Sequence, residues 1–236
     1  MQMNIIKNDL YDYENRYIYQ HENYFKFSLD SILLAEYIEL KKNAVLMDLC
    51  TGFAPVPLIV STVYENKIYG VEIQEDVSNS AKMSVELNGL SDQITIINDD
   101  ILNLEKHFAK NSIDVISCNP PFFKFSECSI VNESEFTKIS RHEVLIKLEE
   151  IFRESSMFLK HNGSLYMVHR PERIDEIIIL ANKYNMNVKE LVTIVTDAKG
   201  TTKTILVKCM KNSKQGVRVR TLNVNNRNTY KGIFKE

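Results

Sequence analysis

Nowhere do about 18 apolar residues run together, and the Met1 to Tyr19 stretch holds no apolar core of the signal-peptide kind. Both absences argue against a membrane span and an export leader, and they predict a soluble, cytoplasmic protein without a membrane partner. Cysteine is scarce too. Cys50, Cys118, Cys128 and Cys209 share no CxxC pairing, which excludes the usual metal-ligand spacings and predicts reduced thiols and no metal. Disorder is excluded by composition, since 44% hydrophobic and 25% charged residues in a chain of 236 can bury a full core. A single domain is expected, with an N-terminal flap over 1–27, a core over 28–211 and a basic C-terminal extension over 212–236.

Net charge is also small, at −2, but it is unevenly spread. From Lys199 to Glu236 there are ten Lys and Arg residues against one acid, so the first 198 residues carry −11. Such asymmetry fits either a polyanion-binding face or a solvated basic tail.

The most informative stretch is Ile113 to Cys118, an apolar run of strand character that stops on Asn119-Pro120-Pro121-Phe122. Two prolines fix successive φ angles and present carbonyls without a competing N–H, so an acceptor is held ready at a strand's end. Asn119 adds a side-chain carbonyl and Phe122 a flat apolar face. Together they suit a planar group bearing an NH2. An ordinary X-Pro-Pro turn is the plainer alternative.

The remaining chain supplies a context for that corner. Leu10 to Phe27, rich in Tyr, Ile and Phe, predicts one or two short strands. Ser28 or Asp30 caps a helix whose apolar positions are Leu33, Leu34, Tyr37 and Ile38. Ala44 to Met47 reads as a buried strand that leads into Asp48-Leu49-Cys50-Thr51-Gly52-Phe53-Ala54-Pro55 and a helix over Val56 to Val63, the first unit of a doubly wound sheet. Lys67 to Glu72 is a second strand, and it ends in an acid 24 residues after Asp48. A carboxylate there can accept the two ribose hydroxyls of a nucleoside, whether that of NAD or of S-adenosylmethionine.

A helix over Asp76 to Asn88, with Val77, Ala81 and Val85 inward and Gly89 at its end, precedes a strand over Gln93 to Ile97. Asp100 then reads as a helix N-cap, and Asp99 could exchange roles with it. Phe123 to Ser140 has the length of a lid or a disordered segment. His142 is either a general base or the cap of a long amphipathic helix over Glu143 to Lys160. A turn at His161-Asn162-Gly163, a strand over Ser164 to His169 and a helix over Glu172 to Tyr184, with Ile174, Ile177 and Ile178 inward, come next. A hairpin of Val188 to Thr196 and Lys203 to Lys208 completes the fold. The sum is an α/β, doubly wound, mostly parallel seven-stranded sheet whose last strand is antiparallel.

Asn119-Pro-Pro-Phe resembles motif IV of the S-adenosylmethionine-dependent amino-methyltransferases, and Asp48 to Pro55 resembles their motif I. Asp48 and Gly52 match that motif, whereas Cys50 and Ala54 stand where glycine is usual, and a left-handed angle at either would be strained. Taken from Phe27 to Leu34 through Asp48, Glu72, Asp100, the corner and Ser140-Arg-His-Glu, the chain resembles the tRNA1(Val) adenine-37 N6-methyltransferase family. The resemblance implies a Rossmann-like class I methyltransferase fold and transfer of a methyl group to N6 of the adenine 3′ of a tRNA anticodon. It places S-adenosylmethionine against Asp30, Asp48, Cys50, Thr51, Gly52, Glu72, Ile73, Asp100, Ile101 and Asn119. The catalytic set is Asn119, Pro120, Pro121 and Phe122, and charge alone suggests Arg218, Arg220, Arg227 and Lys231 as tRNA contacts. A protein-glutamine methyltransferase acting on a translation factor would use the same corner, and a non-catalytic RNA-binding module would explain Cys50 and Ala54.

Overall fold

The computed structural model describes residues 5–11, 13, 15–21, 27–120, 146–197, 199–225 and 230–234. The expectations for Pro121, Phe122, Cys128, His142, Arg227 and the 123–140 loop lie outside them. A two-stranded hairpin, β1 (Ile5–Asp9) and β2 (Tyr17–His21), precedes the sheet, so the first flap strand begins earlier than its Tyr-rich pattern suggests. The hairpin docks on α3 (Glu75–Leu87) through side chains that imitate a strand partner. Asn88 Oδ1 accepts from Tyr17 N at 2.9 Å, and Ser84 Oγ accepts from Tyr19 N at 2.8 Å.

The main sheet holds β3 (Leu46–Leu49), β4 (Ile68–Glu72), β5 (Ile94–Asn98), β6 (Ile113–Cys118), β7 (Leu159–His169), β8 (Met186–Val195), β9 (Thr202–Lys211) and β10 (Arg218–Asn223). Its order is β10-β8-β9-β7-β6-β3-β4-β5, and only β9 runs against the rest. The doubly wound arrangement with an antiparallel hairpin strand is therefore the one expected, with an eighth strand added. That strand corrects the picture of a basic tail, because β10 pairs in parallel with β8 along its whole length. Further along the chain, Gly232 N donates to Glu36 Oε2 at 2.7 Å.

Two apolar layers cover the sheet because successive strand residues point to opposite faces. On one face Leu46, Val115, Val168 and Leu206 meet α1 (Leu29–Tyr37), α2 (Pro55–Val60) and α3. On the other, Met47, Ile116, Leu165 and Val207 meet α4 (Leu148–Phe158) and α5 (Ile174–Lys183).

Several boundaries differ from the pattern. Strand β7 starts at Leu159, and the expected turn survives as an irregularity inside it, with Asn162 at φ 61° and a register shift against β6. Helix α4 begins at Leu148 because Glu150 Oε2 takes the Lys147 N–H at 2.7 Å and closes the first turn there. In α5 the buried stripe is Ile177, Leu180 and Ala181, whereas Ile178 is exposed, one step round the helix from the packed face. Neither Ser28 nor Asp30 caps α1 with its side chain. The Asp30 carboxylate instead accepts from Thr204 Oγ1 at 3.0 Å and stands 3.6 Å from Arg170 Nη2.

Candidate active site

The carboxyl ends of β3, β4, β5 and β6 lie side by side, where parallel α/β sheets bind ligands. Asp48 ends buried, one residue before β3 stops, and both its oxygens accept hydroxyls: Oδ1 from Ser117 at 2.6 Å and Oδ2 from Thr51 at 2.7 Å. It thus ties β3 to β6 and to the following loop. Burial pushes its carboxyl up to about 7, while the Ser117 and Thr51 hydroxyls pull the other way and the Glu72 charge raises it further.

That loop turns through three left-handed residues, Cys50 at φ 54°, Gly52 at 58° and Ala54 at 65°. The two substitutions noted in the sequence therefore fall at positions where a side chain costs about 1 to 2 kcal/mol each. The loop holds the turn by bonds to its surroundings, with Thr51 N on Val71 O and Gly52 N on Glu72 Oε2. Gly70 makes room for this approach, since a Cβ there would meet Thr51 at 3.0 Å and Ile96 Cδ1 at 2.9 Å. Nothing in the local sequence of β4 pointed to that role.

Glu72 closes β4, is 6% exposed and receives N–H groups from Gly52 at 2.9 Å and Gln74 at 3.0 Å. Burial raises its pKa against those bonds. Gly52 N–H sits on Oε2 and Gln74 N–H on Oε1, and the Gln74 side chain and the Ile73 N–H also lower the carboxyl's pKa. Asn98 steadies the same end, its Nδ2 reaching the Glu72 and Ile73 carbonyls at 2.9 and 3.1 Å. Ile73 is 41% exposed, an apolar face beside the acid, whereas Ile101 is buried in the second core layer. Among the described residues, and apart from its chain neighbours, no atom lies within 4 Å of where a Gly52 Cβ would stand. Acid, bare isoleucine and open glycine fit an adenosyl group.

Asp100 accepts from Leu102 N at 2.9 Å and so caps the short 3-10 turn Ile101–Lys106. Asp99 is engaged by His107 at 2.8 Å and Asn103 at 2.8 Å, which hold its carboxyl down to about 2. These contacts tie both acids to the turn that follows β5.

Asn119 follows β6 directly and is half-buried, with Pro120 buried behind it. Its Nδ2 donates to Ser31 Oγ at 2.9 Å, a contact across 88 residues that sequence spacing could not signal. Cys118 is buried beneath the corner, where desolvation and the adjacent Cys50 thiol push its pKa well up. Among the described residues no group of three His, Cys, Asp or Glu side chains is placed to hold a metal ion, and no helix is long and apolar enough to cross a membrane.

The arginines divide. Arg218 is exposed at the start of β10, but Arg220 Nε stands 2.8 Å from Glu190 Oε1 as an ion pair and its guanidinium lies 5.2 Å from the Phe234 ring. Lys231 lies 6.0 Å over the Tyr13 ring.

A sheet of this order, with an acid closing β4 and an Asn-Pro corner closing β6, defines the class I methyltransferase fold. A predicted O-methyltransferase from Agrobacterium tumefaciens shares it, with TM-score 0.67 and 18% identity over 86% of this chain and 90% of that one. The chain belongs to the family described as N-6 DNA Methylase, which matches residues 24–161. It is similar to a tRNA1(Val) (adenine(37)-N6)-methyltransferase of Porphyromonas gingivalis, 27% identical over 143 residues, which are 59% of this chain and 55% of that protein. It is also 26% identical to a release factor glutamine methyltransferase of Buchnera aphidicola over 156 residues, 63% of this chain and 54% of that one. The match thus spans little more than half the length of either relative.

Proposed function

We propose that this protein transfers a methyl group from S-adenosylmethionine to the exocyclic N6 amine of an adenine in tRNA, the base 3′ of the anticodon in tRNA(Val). The observation that carries this reading is Asn119 at the carboxyl end of β6, one strand from the β3 loop that Gly52 ties to Glu72. Glu72 would hold the ribose hydroxyls, Ile73 the adenine face, and the loop from Cys50 to Gly52 would run alongside the cofactor. Asp30, Asp100 and Ile101 stand as further neighbours on the strength of the family resemblance. Bound there, S-adenosylmethionine supplies an electrophilic sulfonium methyl.

The chain's own residues then grip and aim the amine. Asn119 Oδ1 and the Pro120 carbonyl accept its two hydrogens, which keeps the nitrogen lone pair from delocalising into the ring. By sequence, the Pro121 ring would fix the next φ angle. Phe122 offers a stacking surface worth about 1 to 3 kcal/mol to a base that has left its own stack. Positioning accounts for most of the rate, since a held amine meets its electrophile as a unimolecular event.

Cys118, Met167, Val207, Leu191 and Val219 form one cross-strand row over β6, β7, β9, β8 and β10. Four strand spacings put β10 about 19 Å from the corner, a distance a folded RNA can bridge. Arg218 would meet its phosphates there, with Arg227 and Lys231 as further candidates on charge alone, while Arg220 serves mainly to hold Glu190.

Incubating the protein with methyl-labelled S-adenosylmethionine and, in parallel, unmodified tRNA or a translation release factor tests the reading. Label in tRNA supports it. Label in a glutamine amide of the release factor replaces it with the protein-methylating reading, and label in neither leaves a non-catalytic RNA-binding module.

A further inference from the structure

We propose that Ser31 is a positioning residue that turns the Asn119 amide so that its carbonyl, and not its NH2, faces the substrate. The inference rests on the methyl-transfer reading above and adds the selectivity of the same site.

An asparagine amide can sit in either of two orientations of nearly the same shape, and they present opposite chemistry: one offers an acceptor, the other two donors. In this structure Nδ2 donates to Ser31 Oγ at 2.9 Å, so Oδ1 is directed away from Ser31. The anchor is firm. Ser31 is 4% exposed in the first turn of α1, and its N–H bonds Ser28 O at 3.1 Å. The residue before it, Asp30, takes the Thr204 hydroxyl from β9 at 3.0 Å, which pins the start of α1 to the sheet. Accepting that bond turns the serine hydroxyl's own proton away from Asn119.

The consequence is a choice of substrate chemistry. An acceptor fixed at the end of β6 favours a group that brings N–H hydrogens, such as an exocyclic amine, and rejects a carbonyl in the same place. With Ser31 gone the amide gains a second orientation, and molecules in that state hold two donors against the amine.

Ser31→Ala and Ser31→Thr are the variants to compare, and two readouts are needed. In steady-state assays with tRNA, Ser31→Ala should lose kcat on the order of 10²-fold with KM for tRNA little changed, and Ser31→Thr, which keeps the hydroxyl, should recover most of it. In 15N-labelled protein without cofactor, the Asn119 side-chain amide resonances, identified by their loss in Asn119→Asp, should show one protected Nδ2 hydrogen that becomes fast-exchanging in Ser31→Ala. Unchanged Asn119 resonances in folded Ser31→Ala overturn the proposal whatever the activity. So does an unchanged kcat. If the parent methylates no tRNA, the function reading fails while the resonance test still judges the role of Ser31.

Discussion

Gly52 gives its backbone N–H to Glu72 Oε2 at 2.9 Å, so the acid that closes β4 also anchors the loop that follows β3. The same carboxylate takes Gln74 N at 3.0 Å. Glu72→Ala should therefore remove the ribose acceptor and release the loop together. Hydrogen bonds to a charged group contribute about 1.5 to 3 kcal/mol, so calorimetry with S-adenosylmethionine should show affinity reduced by at least about tenfold. An unchanged dissociation constant would remove Glu72 from the cofactor site.

Gly52→Ala separates folding from binding. Among the described residues the added Cβ meets nothing within 4 Å, but the residue must adopt φ 58°, so unfolding in urea should register a loss of about 1 to 2 kcal/mol from backbone strain. If the open side of the loop receives the cofactor, binding should suffer more than stability does. Full cofactor affinity in this variant would move the adenosyl group off Gly52.

Asp48 gives a pH prediction. Its folded pKa of about 7 lies above the ordinary 3.8, so the folded state holds the proton more tightly than the unfolded chain does between those values. Its contribution to stability is full below about pH 4 and is lost as pH rises through about 7. Asp48→Asn cannot ionise, so relative to the parent it should fare better at pH 8 than at pH 5. Urea midpoints at the two pH values check the sign.

The two ordered arginines of β10 should behave differently. Arg220→Ala breaks the pair with Glu190 and the contact with Phe234, so it should lower the melting temperature, with about 1 kcal/mol lost. Arg218 is exposed, so Arg218→Glu should leave melting unchanged, weaken tRNA binding and flatten its salt dependence. Equal salt slopes for Arg218→Glu and the parent would take β10 out of the tRNA path.

The strands that build the site were readable because each is a short apolar run ending on a polar residue: Leu46 to Asp48, Ile68 to Glu72, Ile113 to Asn119. Periodicity shows where a strand stops, and the topology of parallel sheets says those ends meet. The left-handed angles at Cys50 and Ala54 were likewise visible as a conflict between the motif and its substituents. Strand β10 was hidden because its Arg, Val, Arg and Thr run is largely exposed, with only Arg220 and Leu222 half-buried, and looks like a charged tail. The partner of Asp30 lies 174 residues away and that of Asn119 lies 88 residues away, so local signals favoured a helix cap for the first and offered nothing for the second. Ile73 and Ile101 illustrate the same limit: both follow an acid at a strand's end, but only the fold leaves Ile73 exposed and buries Ile101.

The most direct test is nucleoside mass spectrometry of tRNA(Val) transcript incubated with the protein and S-adenosylmethionine carrying a deuterated methyl. The account predicts one labelled N6-methyladenosine, at the position 3′ of the anticodon, formed by the parent and absent with Asn119→Ala even though that variant still binds the cofactor. Label on any atom other than an adenine N6, or equal labelling by Asn119→Ala, would contradict it.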